Sequence, residues 1–336
     1  MTEIIPKYSI VVAIYNRPDE VEELLFSLSK QQKANFEVII IEDGSSLNCK
    51  SVVDRYKDKL SIQYHVKPNT GPGHTRNVGV SMARGEYIVF FDSDCIIPED
   101  YFIKVEHAMC QQHFDAWGGP DKASKDFNSL QKAISHTMTS YITTGGIRGG
   151  KNHLSWFEPR SFNFGIKKNI FNTLEGFHYT KIGEDIDLSL RMKKAGVVSI
   201  LIPDAFVYHK RRTSLSKFFK QIFIFGRSRV LVNKVHPGSI KLFHLFPLFF
   251  SIGFFSLPLL PIFSLTLFKI ALALYLIFFF AVATECAIKT KSIYVSFIAI
   301  AAAWIQMIAY GSGFMKELFF KSTRVRITDQ CFSSML

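Results

Sequence analysis

The sequence lacks the features that mark several large classes of protein. Its cysteines are scattered rather than spaced as metal ligands are, and a chain of 336 residues needs no disulfide to complete its core. Zinc-finger spacings, aromatic RNA-binding motifs and internal repeats are also missing. We therefore expect a protein of a reducing compartment that does not bind nucleic acid. The cysteines are Cys49, Cys95, Cys110, Cys286 and Cys331.

A signal-peptide pattern is missing from the first twenty residues, MTEIIPKYSIVVAIYNRPDE. No charged region precedes a long apolar run with a small-residue cleavage site. We interpret the apolar run YSIVVAIYN as a first strand instead.

Charge is scarce over a long stretch near the carboxyl end, residues 242–320, where Phe, Leu, Ile and Ala dominate. The stretch divides at about 242–262, 264–284 and 293–315, and each piece can supply the roughly 20 apolar residues of a membrane helix. Three prolines interrupt the first piece, which predicts a broken, re-entrant or hairpin segment. We predict a membrane anchor of two or three apolar segments; buried helices of a soluble protein are the alternative.

Positive charge is concentrated just before this stretch. The formal net charge is +12, and residues 209–235 read HKRRTSLSKFFKQIFIFGRSRVLVNKV. Such a cluster beside a membrane segment favours the anionic cytoplasmic leaflet, and the tail KSTRVR favours the same face. Three full spans would place the two on opposite faces, so either the first apolar segment does not cross or the rule fails here. A solvated helix face is the alternative interpretation of the basic residues.

The residues before 235 alternate between two kinds of segment. Short β-branched runs, such as FEVIIIEDGSS and EYIVFFDSD, are typical of strands buried on both faces. Between them lie segments of helical period, such as EVEELLFSLSKQ and the glycine-led GPGHTRNVGVSMARG. This alternation predicts a parallel α/β sheet, whose ligands bind beyond the carboxyl ends of the strands. The glycine-rich region 114–159 is expected to be a long irregular loop.

Polar groups follow three predicted strands at the point where each ends. They are the pair Asn16-Arg17, the pair Glu42–Asp43, and the run Asp92-Ser93-Asp94. Because carboxyl ends of parallel strands share one edge of a sheet, we expect these groups to lie close together. Two carboxylates one residue apart can reach one hard cation, and Mg²⁺ or Mn²⁺ there would neutralise a diphosphate. The pattern predicts a metal site for a diphosphate-bearing substrate.

Four segments, taken in order, resemble a known family. SIVVAIYNRPDEVEELLFSL, VIIIEDGSS, GPGHTRNVGVSMARGEYIVFFDSD and GEDIDLSLRMKKAG are similar to the motifs of family 2 glycosyltransferases, over about residues 8–215. The resemblance implies the GT-A fold, an α/β nucleotide-sugar-binding sheet domain, and sugar transfer from a UDP- or GDP-type donor with inversion at the anomeric carbon. The Gln-x-x-Arg-Trp motif of processive members is absent, so a polymerising channel-former is not expected. The apolar end is more loosely similar to membrane-anchored bacterial members of exopolysaccharide assembly.

The resemblance assigns a donor site. Asp43 matches the aspartate that hydrogen-bonds the donor base, although a turn residue fits the same pattern. Asp92 and Asp94 match the Asp-x-Asp element, with Asp94 the direct ligand of Mg²⁺ or Mn²⁺ and Asp92 near the ribose or the metal. Arg76 and Asn77 match the segment lining the donor pocket, where Arg76 is alternatively a structural ion-pair partner. The full predicted donor set is Asn16, Asp43, Arg76, Asn77, Asp92, Ser93 and Asp94.

The motif GEDIDL holds the predicted catalytic base. Asp185 matches the family's base, which takes the proton of the acceptor hydroxyl during inversion. Glu184 would orient the site or the acceptor, whereas Asp187, two residues further along a helix, points elsewhere. Acidic residues also cap helix starts, which is compatible with catalysis.

Three further residues are assigned by their position in the family. His209 matches a histidine that serves many relatives as an extra metal ligand; a structural histidine is the alternative. Trp156 and Phe164, within WFEPRSFNF, belong to the acceptor side, where sugar stacking and core packing are both open.

These observations predict an enzyme of two parts. We expect a GT-A domain over 1–235, with a donor half at about 1–104, an acceptor half at about 105–215 and a basic juxtamembrane segment at 209–235, followed by the anchor. The expected function is metal-dependent, inverting transfer to a glycan or lipid-linked acceptor, with the catalytic domain cytoplasmic at the inner membrane. A sugar nucleotidyltransferase is an alternative, but AIYNRPDE is not its basic glycine-rich loop. An inactive membrane-bound nucleotide-sugar-binding protein is another, although all the candidate carboxylates are present.

Overall fold

A computed structural model of the chain describes residues 5–32, 34–123, 127–145, 156–179 and 182–320. These residues form two compact units. The sheet unit lies within 1–122 and 151–210, and the helical unit lies within 123–150 and 211–324. The domain boundaries expected from the sequence stay a prediction.

The strands all belong to the sheet unit. In chain order they are β1 (Tyr8–Ile14), β2 (Phe36–Asp43), β3 (Ile62–Lys67), β4 (Tyr87–Phe91), β5 (Cys95–Ile96), β6 (Ala116–Gly118), β7 (Asp121–Lys122), β8 (Asn163–Lys167), β9 (Ser199–Leu201) and β10 (Val207–His209).

The helices are divided between the units, with α5, α6 and α9 to α13 in the helical unit. In chain order they are α1 (Pro18–Leu28), α2 (Lys50–Asp54), α3 (Pro72–Met82), α4 (Tyr101–Gln111), α5 (Ser129–Thr139), α6 (Tyr141–Thr144), α7 (Lys168–Thr173), α8 (Glu184–Lys194), α9 (Leu215–Val235), α10 (Leu242–Ser256), α11 (Leu260–Phe263), α12 (Leu265–Thr290) and α13 (Ile293–Phe319).

Seven strands form the main sheet in the order β3-β2-β1-β4-β8-β6-β9. The first four are parallel, as the alternation of strands and helices predicted. The sheet as a whole is mixed, because β8 is antiparallel to both of its neighbours. A second, three-stranded sheet has the order β5-β10-β7 and pairs His209 with Cys95. The α/β fold class is confirmed, as a mixed sheet.

The central strands are buried on both faces, which explains their unbroken apolar character. Ile10 and Val12 of β1 face one core, whereas Val11, between them, faces the other together with Ile39 and Ile41 of β2. Alternate residues of a strand point to opposite faces, so helices are needed on both sides of this sheet.

The glycine-rich region 114–159 is not a continuous loop, so that prediction is wrong. It contains β6, β7, α5 and α6, and its residues 124–126 and 146–155 lie outside the described part of the chain. A capping box begins α5, in which the Asn128 side chain accepts from the backbone N–H of Gln131 and the Gln131 side chain accepts from that of Asn128. This local signal marks a helix start despite the surrounding glycines.

The apolar stretch forms three helices that are long and apolar enough to cross a membrane. They span Leu242–Phe263, Leu265–Thr290 and Ile293–Phe319 among the described residues. The first is broken, as its prolines predicted, by a short 3₁₀ turn at Leu257–Leu259 that separates α10 from α11.

The long basic helix α9 packs along α13 within the helical unit. A Cβ on Gly226 would lie 2.1 Å from the carbonyl oxygen of Tyr310, and one on Gly313 would lie 2.0 Å from that of Phe223. The two backbones therefore approach more closely than any larger residue at these positions allows. Most of the basic segment 209–235 is therefore the helix α9, which packs against α13.

Candidate active site

Polar residues meet at the carboxyl edge of the main sheet. Because β2, β1 and β4 are parallel neighbours, Asp43, Arg17 and the Asp92-Ser93-Asp94 run follow strand ends at one edge. The amino end of α8 and the end of β10 reach the same place, as the contacts of Glu184 and His209 show.

Asp94 is buried between two nitrogen-bearing side chains. Arg17 donates from Nη1 to Oδ2 of Asp94 at 2.7 Å, and Nε2 of His209 lies 3.0 Å from Oδ1. Burial alone would raise the pKa of Asp94, but the charge and hydrogen bond of His209, and then those of Arg17, hold this pKa below its usual range. Asp94 is therefore ionised at neutral pH.

This corner of the sheet has the donor atoms that a hard cation needs. Asp94, Cys95 and His209 each bring one potential ligand atom within 4.8 Å of the others. Two neighbouring ligands of an octahedral ion, at about 2.1 Å from it, lie about 3 Å apart. The separation of 3.0 Å between the Asp94 oxygen and the His209 nitrogen matches that spacing.

Cys95 suits a hard cation poorly. Burial, and then the charge of Asp94, raise the pKa of its thiol well above the usual value, so the thiol stays protonated. Asp121 is a better contributor, since its Oδ2 lies 4.0 Å from Nδ1 of His209, where a carboxylate can orient a ligating imidazole. The residues present fit Mg²⁺ or Mn²⁺ on Asp94 and His209.

Arg76 joins the strand-end carboxylates to the acidic motif of α8. It is only 5% exposed, and it donates to Asp92 Oδ1 at 2.8 Å and to Glu184 Oε1 at 3.1 Å. Gly73 permits this approach, because a Cβ there would lie 1.9 Å from the carbonyl oxygen of Tyr179, just before α8. Arg76 was interpreted either as lining the donor pocket or as a structural ion-pair partner, and its contacts fit the second interpretation.

Glu184 and Asp185 differ in their surroundings. Burial, and then the charge of Asp185, raise the pKa of Glu184 to about 7, because Arg76 is shared with Asp92 and offsets only part of the shift. Asp185 is less buried, with one oxygen accepting from the N–H of Ile186 at 2.8 Å and the other 3.5 Å from Arg160. Both side chains are partly buried, with Glu184 12% and Asp185 23% exposed, and they differ mainly in their partners, Arg76 and Arg160.

The raised pKa of Glu184 predicts a pH-dependent loss of stability. A carboxyl that binds its proton more tightly in the folded state loses stability as pH rises from about 4.5 to about 7. In metal-free buffer, Glu184→Gln should remove that loss. The free energy of unfolding of the wild type should therefore decrease relative to that of the variant by up to about 3 kcal/mol over this pH range. Denaturant unfolding at several pH values measures it. The exposed Glu99→Gln is the control, and parallel pH profiles for Glu184→Gln and the wild type would refute the prediction.

Asp43 is held in place by a group of donors. Its carboxylate accepts from the backbone N–H groups of Thr70 and Gly71, each at 2.9 Å, and from the ammonium of Lys67. Burial would raise the pKa of Asp43, but the Lys67 hydrogen bond, and then that of Thr70, lower it. An ionised Asp43 thus anchors the start of α3, which carries Arg76.

Two residues predicted to contact the donor form hydrogen bonds to the protein backbone instead. Asn16 accepts from the N–H of Leu47 at 2.9 Å, so it holds the loop after Asp43. Asn77 bonds both backbone groups of Phe177, at 2.8 and 2.9 Å, and ties α3 to the segment before α8. Ser93 is buried between its two aspartates. Direct donor contacts for these residues stay a prediction.

Asp187 is enclosed in the helix rather than directed at the acidic motif. It is 1% exposed and accepts from Nε of Arg191 at 2.9 Å, one turn along α8. Arg191 also donates to the carbonyl oxygens of Leu174 and Gly176. The pair therefore fastens α8 to the preceding segment.

Replacing Asp187 with asparagine should mainly reduce stability. The substitution leaves the largely buried Arg191 without a carboxylate partner, and we expect a decrease of about 3 kcal/mol in the free energy of unfolding. Thermal unfolding of the two proteins measures it, with the exposed Asp54→Asn as the matched control. A variant of normal stability but lower kcat would assign Asp187 to catalysis instead.

The two aromatic residues predicted for the acceptor side lie against the protein interior. Phe164 is 3% exposed and stacks on Phe90, with ring centroids 5.6 Å apart. Trp156 is partly buried, and its indole N–H donates to the carbonyl oxygen of Val197 at 2.9 Å. Core packing, which the sequence left open, fits Phe164.

The sequence analysis assigned no role to several residues at the site, although two of them, Arg17 and Arg160, lie within segments that it quoted. Arg17 contacts Asp94, Lys67 ends β3 and contacts Asp43, Asp121 begins β7 beside His209, and Arg160 faces Asp185. Only their position in the chain could have indicated them, because residues at the ends of neighbouring parallel strands lie close together whatever their residue type.

Comparison with known proteins places these motifs in a family. The model of the family described as "Glycosyl transferase family 2" matches residues 9–178. The glycosyltransferase GlyG of Streptococcus pneumoniae is 35% identical over 227 residues, which cover 65% of this chain and 74% of that protein.

Other similarities are shorter or concern the fold. The poly(ribitol-phosphate) beta-N-acetylglucosaminyltransferase TarS of Staphylococcus aureus is 34% identical over 113 residues, which cover 32% of this chain and only 20% of that protein. The mannosyltransferase PcManGT of Pyrobaculum calidifontis, solved with GDP-Man and Mn²⁺, shares the fold with a TM-score of 0.62 at 16% identity, over 94% of this chain and 88% of that one.

Proposed function

Because the chain belongs to glycosyl transferase family 2, we propose that it transfers a sugar, with inversion, from a nucleotide diphosphate sugar to a glycan or lipid-linked acceptor. The observation that carries the proposal is the meeting of Asp43, the Asp92–Asp94 pair, His209 and the Glu184–Asp185 pair at one sheet edge. The fold neighbour solved with GDP-Man and Mn²⁺ supports a nucleotide diphosphate sugar as the donor, of the UDP or GDP type that the sequence motifs imply.

The donor side is built on Asp43 and Arg76. Asp43 stays ionised through its N–H and Lys67 partners, and it would present its carboxylate to the base of the nucleotide. Arg76, fixed between Asp92 and Glu184, would keep the donor carboxylates in register with the acceptor side.

Asp94 and His209 would hold Mg²⁺ or Mn²⁺, with Asp92 beside them. The ion, when bound, supplies positive charge that stabilises the departing diphosphate. Arg17, now 2.7 Å from Asp94, is a cation on the same carboxylate and would lie next to the phosphates. Asp121 would keep the His209 ring oriented.

The proposed base is Asp185. A base must first reach the acceptor hydroxyl, and only then does its pKa matter. Glu184 has a pKa near neutrality, but it is bonded to Arg76, so it cannot approach an acceptor without breaking that pair. Asp185 is more exposed, and its only ion pair among the described residues, with Arg160, is long at 3.5 Å, so its carboxylate would accept the proton while the sugar is transferred.

The membrane location is part of the same proposal. Three helices of the helical unit are long and apolar enough to cross a bilayer, and α9 carries the basic residues that favour the cytoplasmic face. Confinement to the inner membrane would raise the local concentration of a lipid-linked acceptor.

A direct assay tests the proposed reaction. Purified full-length protein is incubated with UDP- and GDP-sugars and a bacterial membrane-lipid extract, with Mn²⁺ or with EDTA. We expect one donor to release its nucleotide diphosphate only with metal, while the extract gains the sugar. Binding without turnover of any donor would indicate an inactive binding protein, and formation of nucleotide sugar from a nucleoside triphosphate and a sugar phosphate would indicate a nucleotidyltransferase.

A further inference from the structure

A shared cation lies beside the proposed base within the sheet unit. Nη1 of Arg160 is 3.5 Å from Oδ2 of Asp185, and Nη2 of the same guanidinium is 3.7 Å from Oε2 of Glu158. The three side chains are each between 20% and 25% exposed, so water screens their charges only in part. One guanidinium thus serves two carboxylates, of which Glu158 has no part in the reaction described so far.

The loop that carries Arg160 is fastened to α8, the helix that carries Asp185. Ser189 lies one turn after Asp185, and its hydroxyl donates to the carbonyl oxygen of Pro159 at 3.1 Å. Residues four apart on a helix share a face, so this bond places the residue after Pro159 opposite Asp185. On the other side, the N–H of the buried Asn163 donates to the carbonyl oxygen of Arg160 at 3.0 Å. The backbone on both sides of the Arg160 side chain is therefore fixed.

Both ion-pair contacts of Arg160 are long. Charge-assisted hydrogen bonds from nitrogen to a carboxylate usually measure about 2.7–2.9 Å. Two other arginines of the site, Arg17 and Arg76, bond their aspartates at 2.7 and 2.8 Å. The Arg160 guanidinium instead lies between Asp185 and Glu158 without a short bond to either. Oδ2 of Asp185 is thus close to a positive charge that does not occupy it with a short hydrogen bond.

The charged groups around Asp185 explain why that cation matters. Arg160 and Glu158 face it from the loop before β8, and Glu184 precedes it on α8. Glu184 is itself paired with Arg76 of α3. Without Arg160, the charged groups nearest to Asp185 among the described residues would be carboxylates. Like charges disfavour the ionised form of a carboxyl group, which is the form that a general base needs.

We propose that Arg160 is a positioning residue for the base Asp185, and that Glu158 holds Arg160 at its working distance. Arg160 keeps the Asp185 carboxylate ionised and oriented. Glu158 prevents the guanidinium from closing on Asp185 and occupying the oxygen that the acceptor hydroxyl needs. The inference rests on the proposed sugar transfer, with Asp185 as its base.

The transfer step itself leaves this pair unchanged. The acceptor oxygen forms its bond to the anomeric carbon while the bond from that carbon to the diphosphate oxygen breaks. The proton of the acceptor hydroxyl passes to Asp185, and the diphosphate leaves with the electron pair of the broken bond. Arg160 and Glu158 neither gain nor lose a proton.

A double-mutant cycle on kcat tests whether Arg160 acts through Asp185. Initial rates of full-length protein are measured with Mn²⁺ and a radiolabelled donor, so that the low rate of Asp185→Asn can be followed. We expect Arg160→Gln to lower kcat about 10–100-fold, less than the loss of the base itself, with the KM for the donor unchanged. In the Asp185→Asn chain, the same change should have no further effect.

Two further variants and a control separate this role from a structural one. Arg160→Lys, which keeps the charge, should recover part of the lost kcat. Glu158→Gln should lower kcat by a smaller factor than Arg160→Gln, again only while Asp185 is present, and it tests the pair should Arg160→Gln fold poorly. The exposed Arg55→Gln is the matched control and should behave as the wild type.

Three results would overturn the inference. An equal loss from Arg160→Gln in the presence and absence of Asp185 would show that Arg160 acts independently of the base. A raised KM for the acceptor at unchanged kcat would assign Arg160 to acceptor binding. Normal kinetics in both Arg160→Gln and Glu158→Gln would refute the pair while leaving the sugar transfer intact, whereas a wild type that transfers sugar from no donor would refute the proposed function and this inference together.

Discussion

We expect Asp185→Asn to lower kcat by about 10²–10⁴-fold, the usual effect of removing a general base. The affinity for nucleotide sugar should change little, because the proposed donor contacts are on Asp43 and the Asp92–Asp94 pair. The fold should survive as well, since Asp185 is only partly buried and its closest side-chain partner is 3.5 Å away. Initial rates at saturating donor, together with donor binding by calorimetry, separate these effects.

The neighbouring carboxylates are the controls for this result. Glu184→Gln should lose less activity or raise KM for the acceptor, because Glu184 acts through its contact with Arg76. Near-normal transfer by Asp185→Asn with an inactive Glu184→Gln would reverse the two roles. Full activity in both variants would place the base outside this motif.

Asp94→Asn should abolish the dependence of nucleotide-diphosphate binding on Mn²⁺. Replacing a residue that only orients a metal ligand typically lowers the affinity for the metal about 10–100-fold. Removing the ligand itself should therefore lower the affinity for Mn²⁺ by more than about 100-fold. The measurement is the ratio of UDP or GDP affinity with Mn²⁺ to that with EDTA, which should be large in the wild type and close to one in the variant.

Stability must be separated from metal binding in this test, because Asp94 is buried between Arg17 and His209. Binding is therefore compared at a temperature where both proteins are folded, and the His209→Ala variant provides a second loss of ligand without removing the carboxylate. Asp58→Asn, on the surface, should behave as the wild type. An unchanged metal dependence in both Asp94→Asn and His209→Ala would exclude this site.

The parallel half of the sheet was predictable because its signals are local and repeated. An apolar run such as that of β4 is long enough for a strand and too short for most helices. Asp92 and Asp94 follow this run directly in the chain, so their place at the end of the strand could be predicted. Since parallel neighbours end at one edge, placing Asp43 near Asp94 required only the strand order.

The antiparallel strand β8 had no such signal. Its sequence NFGIK is short, and its register between β4 and β6 depends on contacts far along the chain, such as Gly165 opposite both Val89 and Trp117. A Cβ on Gly165 would lie 2.1 Å from the Trp117 ring, so the glycine fits a partner that the local sequence cannot reveal. The three-stranded sheet that carries His209 is made of still shorter strands.

Ion-pair partners were the least predictable part of the candidate site. Arg17 follows Asn16 in the sequence, but nothing local shows that it reaches Asp94, 77 positions away. The bridge made by Arg76 depends on the close approach of α3 to the start of α8, which is a property of packing. The sequence shows which residues are charged, but only the fold shows which of them form ion pairs with each other.

The close packing of α9 on α13 also affects how the protein is made. The ribosome completes α9 before it has begun α10, and the end of α13 follows roughly 80 residues later, about 4–16 s at usual rates of translation. During that interval Phe218, Ile222 and Gly226 are without the helix they finally contact. The nascent chain therefore exposes an apolar face beside a row of cations, so early association of α9 with the membrane surface or a chaperone would protect it from aggregation until α13 emerges.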